Sequence, residues 1–178
     1  DSIQIFNSSE QFVKKYYTAS TTQNKSEAYL TFDQNGTLYI SDIAKNNVYI
    51  YAIDKEINIK QGTVNIALGN TVDFGSVIVS QSSDKTFTIE NLGGVDLTLG
   101  GTTGSQVELS GTNASDFVVT QTNVTDKITG FSNVTFDVKY MPAAVGTSTA
   151  TLTIKNNDAD EGVYTINLTG TSTSNVTG

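Results

Sequence analysis

Val134-Thr135-Phe136-Asp137-Val138-Lys139-Tyr140-Met141-Pro142 alternates apolar and polar side chains over a strand's length, then stops at the chain's only proline. Successive side chains of a strand point to opposite faces, so Val134, Phe136, Val138 and Tyr140 lie together on one face. Pro142 has no N–H to offer a neighbouring strand, which suits a strand end. The same period of two returns in Ala150, Leu152 and Ile154, and again in Tyr164, Ile166 and Leu168. Upstream it runs through Val64, Ile66 and Leu68, through Phe87 and Ile89, through Val95, Leu97 and Leu99, and through Phe117 and Val119. Turn-forming residues separate these runs: Gly69-Asn70, Gly93-Gly94, Gly100-Gly101, Gly111-Thr112-Asn113 and Asn156-Asn157-Asp158. Seven or eight short strands in roughly 110 residues predict an antiparallel β-sandwich. Phe74, Phe117 and Phe136 are the expected core aromatics.

Composition narrows the chemistry. The chain has 178 residues and a net charge of −8, and its ten cationic residues are all Lys. Guanidinium is the usual bidentate partner of phosphates and guanine edges, and an acidic surface repels an anionic backbone, so no nucleic-acid partner is expected. The absence of His and Cys removes Ser-His and Cys-His nucleophiles, disulfides and nearly every zinc site. No cofactor is expected. The longest apolar run, Val48 to Ile53, is far too short for a membrane span. No signal peptide opens the sequence, so Asp1 reads as a mature terminus or an internal cut.

The first sixty or so residues differ in character and carry most of the tyrosines. Ile3-Gln4-Ile5-Phe6 is echoed by Val48-Tyr49-Ile50-Tyr51, 45 residues on, a spacing that suits one propeller blade. Between them, Tyr29 to Asp42 reads as two strands about a turn at Asp33 to Gly36, and Lys45-Asn46-Asn47 turns into a third. Ser8 to Tyr17 could place Phe12, Val13 and Tyr16 on a helix face, but loop and strand is the preferred reading. The order of strand, Asp-x-x-Gly turn, strand ending in Asp, polar turn and strand resembles the NHL-repeat blade. The resemblance implies that residues 1–60 are the C-terminal end of a larger β-propeller, whose remaining blades lie upstream.

The second half carries a resemblance of its own. Val72-Asp73-Phe74-Gly75-Ser76-Val77, Phe87-Thr88-Ile89-Glu90-Asn91-Leu92-Gly93, Asp116-Phe117, Phe136 to Pro142, Val145-Gly146-Thr147, Ala150 to Ile154 and Ile166 to Thr171 occur in that order. Together they resemble the Hydin-type immunoglobulin-like domain, also known as the choice-of-anchor D module. The family usually has Phe-x-Pro where this chain has Tyr140-Met141-Pro142. The resemblance implies an all-β, seven-stranded immunoglobulin-like sandwich over residues 61–172, with 173–178 leading onward. Such a module is a spacer or docking unit without an active site. Gly75 and Gly93 are expected at turns that need positive φ or close backbone approach.

Candidate sites are few. Asp158, Asp160 and Glu161, within Asn156 to Gly162, present hard oxygen donors that suit Ca²⁺. The stretch lacks the twelve-residue EF-hand pattern, and Asn and Asp favour turns, so a hairpin is the preferred reading. Asp33, Asn35 and Asp42 form a second oxygen-rich group, read as bonding turn amides. Tyr16, Tyr17, Tyr39, Tyr49 and Tyr51 could offer a binding surface, with Tyr16 and Tyr17 expected in a loop. Asn-x-Ser/Thr triplets begin at Asn7, Asn24, Asn35, Asn113, Asn123, Asn133, Asn167 and Asn175; they fit an extracellular setting, and chance explains a good part of them in a chain this rich in Asn, Ser and Thr. No pair of carboxylates is singled out by spacing for acid–base catalysis.

The expectation is therefore a non-enzymatic segment of a larger exported protein of a Gram-negative bacterium, since Lys without Arg, many Asn and no Cys suit an AT-rich bacterial genome. It would sit at the cell surface or be secreted, as a spacer, adhesion or docking module. Its partners would be other domains of its parent chain and another envelope protein. The alternative is an accessory module of a secreted hydrolase whose catalytic domain lies elsewhere.

Overall fold

The computed structural model describes residues 2–6, 12–17, 30–32, 38–42, 47–51 and 54–175. Near the N-terminus, β1 (Ser2–Phe6) pairs antiparallel with β2 (Phe12–Tyr17), Ile3 opposite Tyr16. Tyr16 and Tyr17 thus lie on a strand and not in the loop that the sequence suggests. β3 (Leu30–Phe32), β4 (Leu38–Asp42) and β5 (Asn47–Tyr51) form an antiparallel three-stranded sheet in the order of the chain. Leu38 and Ile40 alternate with Tyr39 and are buried, as the period of two requires.

The remaining strands build a sandwich. They are β6 (Ile57–Gln61), β7 (Val64–Asn65), β8 (Thr71–Ile78), β9 (Ser83–Asn91), β10 (Leu97–Thr98), β11 (Val107–Ser110), β12 (Phe117–Thr120), β13 (Lys127–Ile128), β14 (Asn133–Tyr140), β15 (Gly146–Lys155) and β16 (Val163–Thr173). One sheet has the order β11-β15-β16-β8 and the other β12-β14-β9-β6-β7, while β10 and β13 pair across one side. Among the described residues all pairings are antiparallel but one. β8 runs parallel to β16, with Thr71 opposite Asn167 and Ile78 opposite Thr173. The register of that pair slips between Thr169 and Thr171. At the slip Gly75 has a φ of +77°, a left-handed conformation that costs glycine nothing, and its N–H donates to Asp73 Oδ1 at 2.8 Å.

The inward faces are those the alternation marks. Phe136, Val138, Tyr140, Ala150, Leu152, Ile154, Tyr164, Ile166 and Leu168 are all buried in one cluster. Phe87 stacks on Phe136 at 5.2 Å, Phe117 on Tyr140 at 4.9 Å, and Phe74 meets Phe117 edge-on at 5.5 Å. All three expected core aromatics are therefore in place.

Two further expectations, both of the sandwich, need correction. The boundary at residue 61 falls too late, because β6 pairs with β9 and its Ile57 and Ile59 sit in the sandwich core. Without β6 the edge of β9 would stand open, and a bare edge is a template for wrong pairing. With β6 and β7 added, the two sheets hold four and five strands rather than seven in all. The strand read through Val64, Ile66 and Leu68 is the second correction. The chain turns at Gly62 (φ +60°) and again at Gly69 (φ +78°), leaving a strand of only Val64–Asn65, beyond which the Ile66 N–H donates to Ile59 O at 2.8 Å; Val64 and Leu68 are exposed and Ile66 is buried.

Candidate functional site

The hairpin between β15 and β16 carries the strongest candidate. Lys155 pairs with Val163, and the Asn156 N–H closes the loop onto Gly162 O at 2.9 Å. Asn156 Oδ1 accepts from the Asp158 N–H at 2.8 Å, and its Nδ2 donates to Glu161 O at 2.9 Å. Asp158 itself is buried. Its Oδ2 accepts the N–H of Ile57 at 2.8 Å, and its Oδ1 accepts the N–H of Asp160 at 3.3 Å.

Both Asp158 oxygens are thus occupied by main-chain donors, one of them from a strand 101 residues away. Burial pushes its carboxyl up, yet the bonds from Ile57, Asp160 and Glu161 outweigh that and hold it below the ordinary aspartate value. Glu161 moves the other way. Burial, then the charges of Asp158, Glu56 and Asp160, push its carboxyl up. Tyr164, beneath the loop, is pushed up by burial and by Glu161, and its hydroxyl donates to Ile66 O at 2.6 Å. Among the described residues no three ligating side chains converge to hold a metal ion. What Asp158 does here is fasten the β15–β16 hairpin to the first residue of β6.

Asn91 completes the fastening, and nothing in the sequence signals its role beyond its place before Leu92-Gly93. Its side chain is buried, donates to Val95 O (2.8 Å) and Ile128 O (3.0 Å), and accepts from Glu56 N–H (3.3 Å) and Gly93 N–H (3.0 Å). Leu92 N–H returns a bond to Glu56 O at 2.7 Å. A Cβ on Gly93 would stand 1.6 Å from Asp54 O, so close approach rather than backbone angle requires this glycine. At the opposite end, Ser148 Oγ donates to Asp116 Oδ2 at 2.6 Å and Tyr140 O–H donates to Ser148 Oγ at 3.3 Å. Between the sheets Gln121 mimics a strand, accepting from Val107 N–H at 2.8 Å and donating to Val107 O at 3.0 Å.

Asp33 and Asn35 lie outside the described residues. Asp42 ends β4 opposite Asn47, and Tyr49 and Tyr51 lie on β5 opposite Ile40 and Leu38. Tyr39 is half-buried on β4. Of the Asn-x-Ser/Thr triplets, Asn167 is engaged through Nδ2 with Gly69 O at 2.8 Å, and Asn113 Oδ1 accepts from Thr149 N–H at 3.2 Å. No helix among the described residues is long and apolar enough to cross a membrane.

No curated protein matches the chain in sequence. Among solved structures, a protein of unknown function from Porphyromonas gingivalis is similar in fold (TM-score 0.50, 9% identity, covering 88% of this chain and 70% of that one). The ASH/PapD-like domain of human CEP192 is similar at a TM-score of 0.46 and 12% identity, covering 70% of this chain and 89% of its own. The secreted serine protease VesC of Vibrio cholerae is similar at 0.45 and 15% identity, covering 84% of this chain and 36% of the protease. A family model, the HYDIN/CFA65/VesB-like Ig-like domain, matches residues 65–171, which run from the end of β7 to near the end of β16 and leave out β6. The chain belongs to the HYDIN/CFA65/VesB-like family of Ig-like domains.

Proposed function

We propose that this chain is a non-catalytic segment of a larger exported bacterial protein, in which the sandwich holds its neighbours apart or docks them. The observation that carries the reading is the placement of the two chain connections. Residues 54–57 enter beside Asn91 and Asp158, at the end where β16 begins, and the chain leaves β16 at Thr173, at the other end. A β16 of 11 residues at about 3.3 Å each separates them by roughly 35 Å. An inserted module of this shape keeps the domain before it away from the domain after it. The antiparallel meander β3-β4-β5 supports reading the N-terminal strands as an NHL-like blade. The expected partners are neighbouring domains of the parent and a second envelope protein.

A second reading is an accessory module of a secreted protease or other hydrolase, because the family's description takes in VesB, a protease of Vibrio cholerae. Antibodies to this chain, applied to intact producing cells and to their culture fluid, test export. Antigen confined to the lysate of broken cells sinks both readings. Hydrolytic activity in the parent polypeptide that survives deletion of residues 54–175 selects the accessory module, and a parent with no such activity selects the spacer.

A further inference from the structure

The parallel pair in an otherwise antiparallel sandwich sets how the domain meets tension. β8 lies beside β16 along almost its whole length, from Thr71 opposite Asn167 to Ile78 opposite Thr173. Further bonds lengthen the ladder at both ends. Gly69 N–H donates to Thr165 O at 2.8 Å, Asn167 N–H to Asn70 O at 2.9 Å, and Val79 N–H to Thr173 O at 3.0 Å. Asn167 Nδ2 adds a bond to Gly69 O at 2.8 Å. Val72, Ile166 and Leu168 are buried on the inner face beneath these rungs, which keeps water from that side.

We propose that the β8–β16 pair is a mechanical clamp, and that the domain's further function is to resist extension along the chain. Tension between residues 54 and 174 enters through β6 and β7, which precede β8 in the chain, and so loads β8 from its first residue and β16 from its last. Because the strands are parallel, those two points lie at opposite ends of the ladder. The strands are drawn past each other along their own axes, and the rungs on either side of the slip at Gly75 are loaded together, as in any parallel pair pulled lengthwise. The same ladder pulled apart from one end opens rung by rung, each bond meeting the whole force in turn. Forced unfolding follows the barrier rather than the equilibrium stability, so the two directions differ even in one protein of one stability.

The connection before β8 is loaded in the same sense. Ile57, the first residue of β6, lies opposite Asn91, the last of β9, so tension on Ile57 slides β6 along β9 instead of peeling it away. The bonds to Asp158 and Asn91 hold that connection in line. The inference rests on the spacer reading in one respect: tension arrives through the two ends only where the parent chain continues on both sides.

The experiment pulls the full chain in two directions. The sequence has no Cys, so introduced thiols are unique handles. D54C with S174C places them at opposite ends of the sandwich, and Q81C with S174C places both at the end where β8 and β16 finish. All three positions are exposed. Each variant is first melted to establish that it keeps the parent's transition, and S82C replaces Q81C if it does not. At one pulling speed the D54C/S174C pair is expected to unfold at a mean force several-fold above the Q81C/S174C pair. Equal forces in the two directions, or a weaker first pair, overturn the clamp. That outcome is independent of export: a chain found only inside the cell keeps its force ratio, and a surface-exposed chain with equal forces is a spacer without a clamp.

Discussion

At the scale of single residues, Phe136 and Asp158 are the sharpest tests. Phe136 is buried and stacked on Phe87. Its truncation, Phe136→Ala, is expected to cost about 3–5 kcal/mol in chemical denaturation, the sum of lost transfer energy and the cavity left behind. A loss below about 1 kcal/mol would mean that the strand is out of register, since a one-residue slip turns Phe136 to solvent. Asp158→Ala leaves the buried Ile57 N–H without its acceptor, at an expected cost of about 1–3 kcal/mol. Calcium at several millimolar, compared with chelator, is expected to move the melting temperature by no more than about 2 °C, where 1 kcal/mol moves a domain of this size by roughly 4–8 °C. The two acidic neighbours respond to pH with opposite signs. Asp158 has a lowered folded value, so its contribution is present above the ordinary aspartate range and is lost as pH falls through the lowered value. Glu161 has a raised one, so its ionisation costs stability, beginning as pH rises through the ordinary glutamate value and complete above the raised one. Glu161→Gln is therefore expected to melt higher than the parent at neutral pH and together with it in acid below the ordinary glutamate range. A mutant that melts lower at neutral pH would show that the carboxylate makes a favourable contact that outweighs its three acidic neighbours.

At the scale of elements, the joint between residues 54–57 and the sandwich is the place to probe. Gly93→Ala drives a Cβ into the Asp54 carbonyl, and backbone there cannot give way without releasing the Glu56 bonds to Asn91 and Leu92. The expected readout is local: faster amide exchange at Ile57 and Leu92, with the amides of β14 and β15 still protected. Uniform loss of protection would mean that the joint and the core open as one unit. The elements also differ in how plainly the sequence announces them. β14, β15 and β16 are long, keep strict alternation and are covered on one face, so their buried residues read straight off the period of two. The run from Val64 to Leu68 alternates as well, yet its bonds to β6 end at Ile66, because turns at Gly62 and Gly69 cut it short at the sheet's edge. Alternation reports which side chains can share a face and carries no information on whether a neighbour is there to pair with them. Gln121 and Asn91 were illegible for a related reason. An amide that completes a ladder or bridges two loops has no local pattern, and its partners lie 14 and 35 residues away.

At the scale of the molecule, the position of β6 changes what a folding unit must contain. A fragment of residues 54–175 is expected to unfold in a single cooperative transition, because it holds the whole core cluster. A fragment of 64–172 lacks Ile57 and Ile59, each worth about 1.5–3 kcal/mol of burial, and leaves the edge of β9 bare. It is expected to melt well below the longer one, or to associate. Equal melting temperatures would show that β6 is an ornament on a core complete without it. What the sequence by itself determined is the class of fold, the inward face of each long strand, the aromatic core and the exclusion of thiol, imidazole and guanidinium chemistry, since all of these follow from residue type and a short period. The tertiary structure alone decided that residues 57–61 belong to the sandwich, that Asp158 fastens strand to hairpin, and that β8 lies parallel to β16. Each of those depends on which segments, up to about a hundred residues apart, come to lie side by side, and pairing between distant strands is settled by the packing of the whole core, which no local stretch encodes.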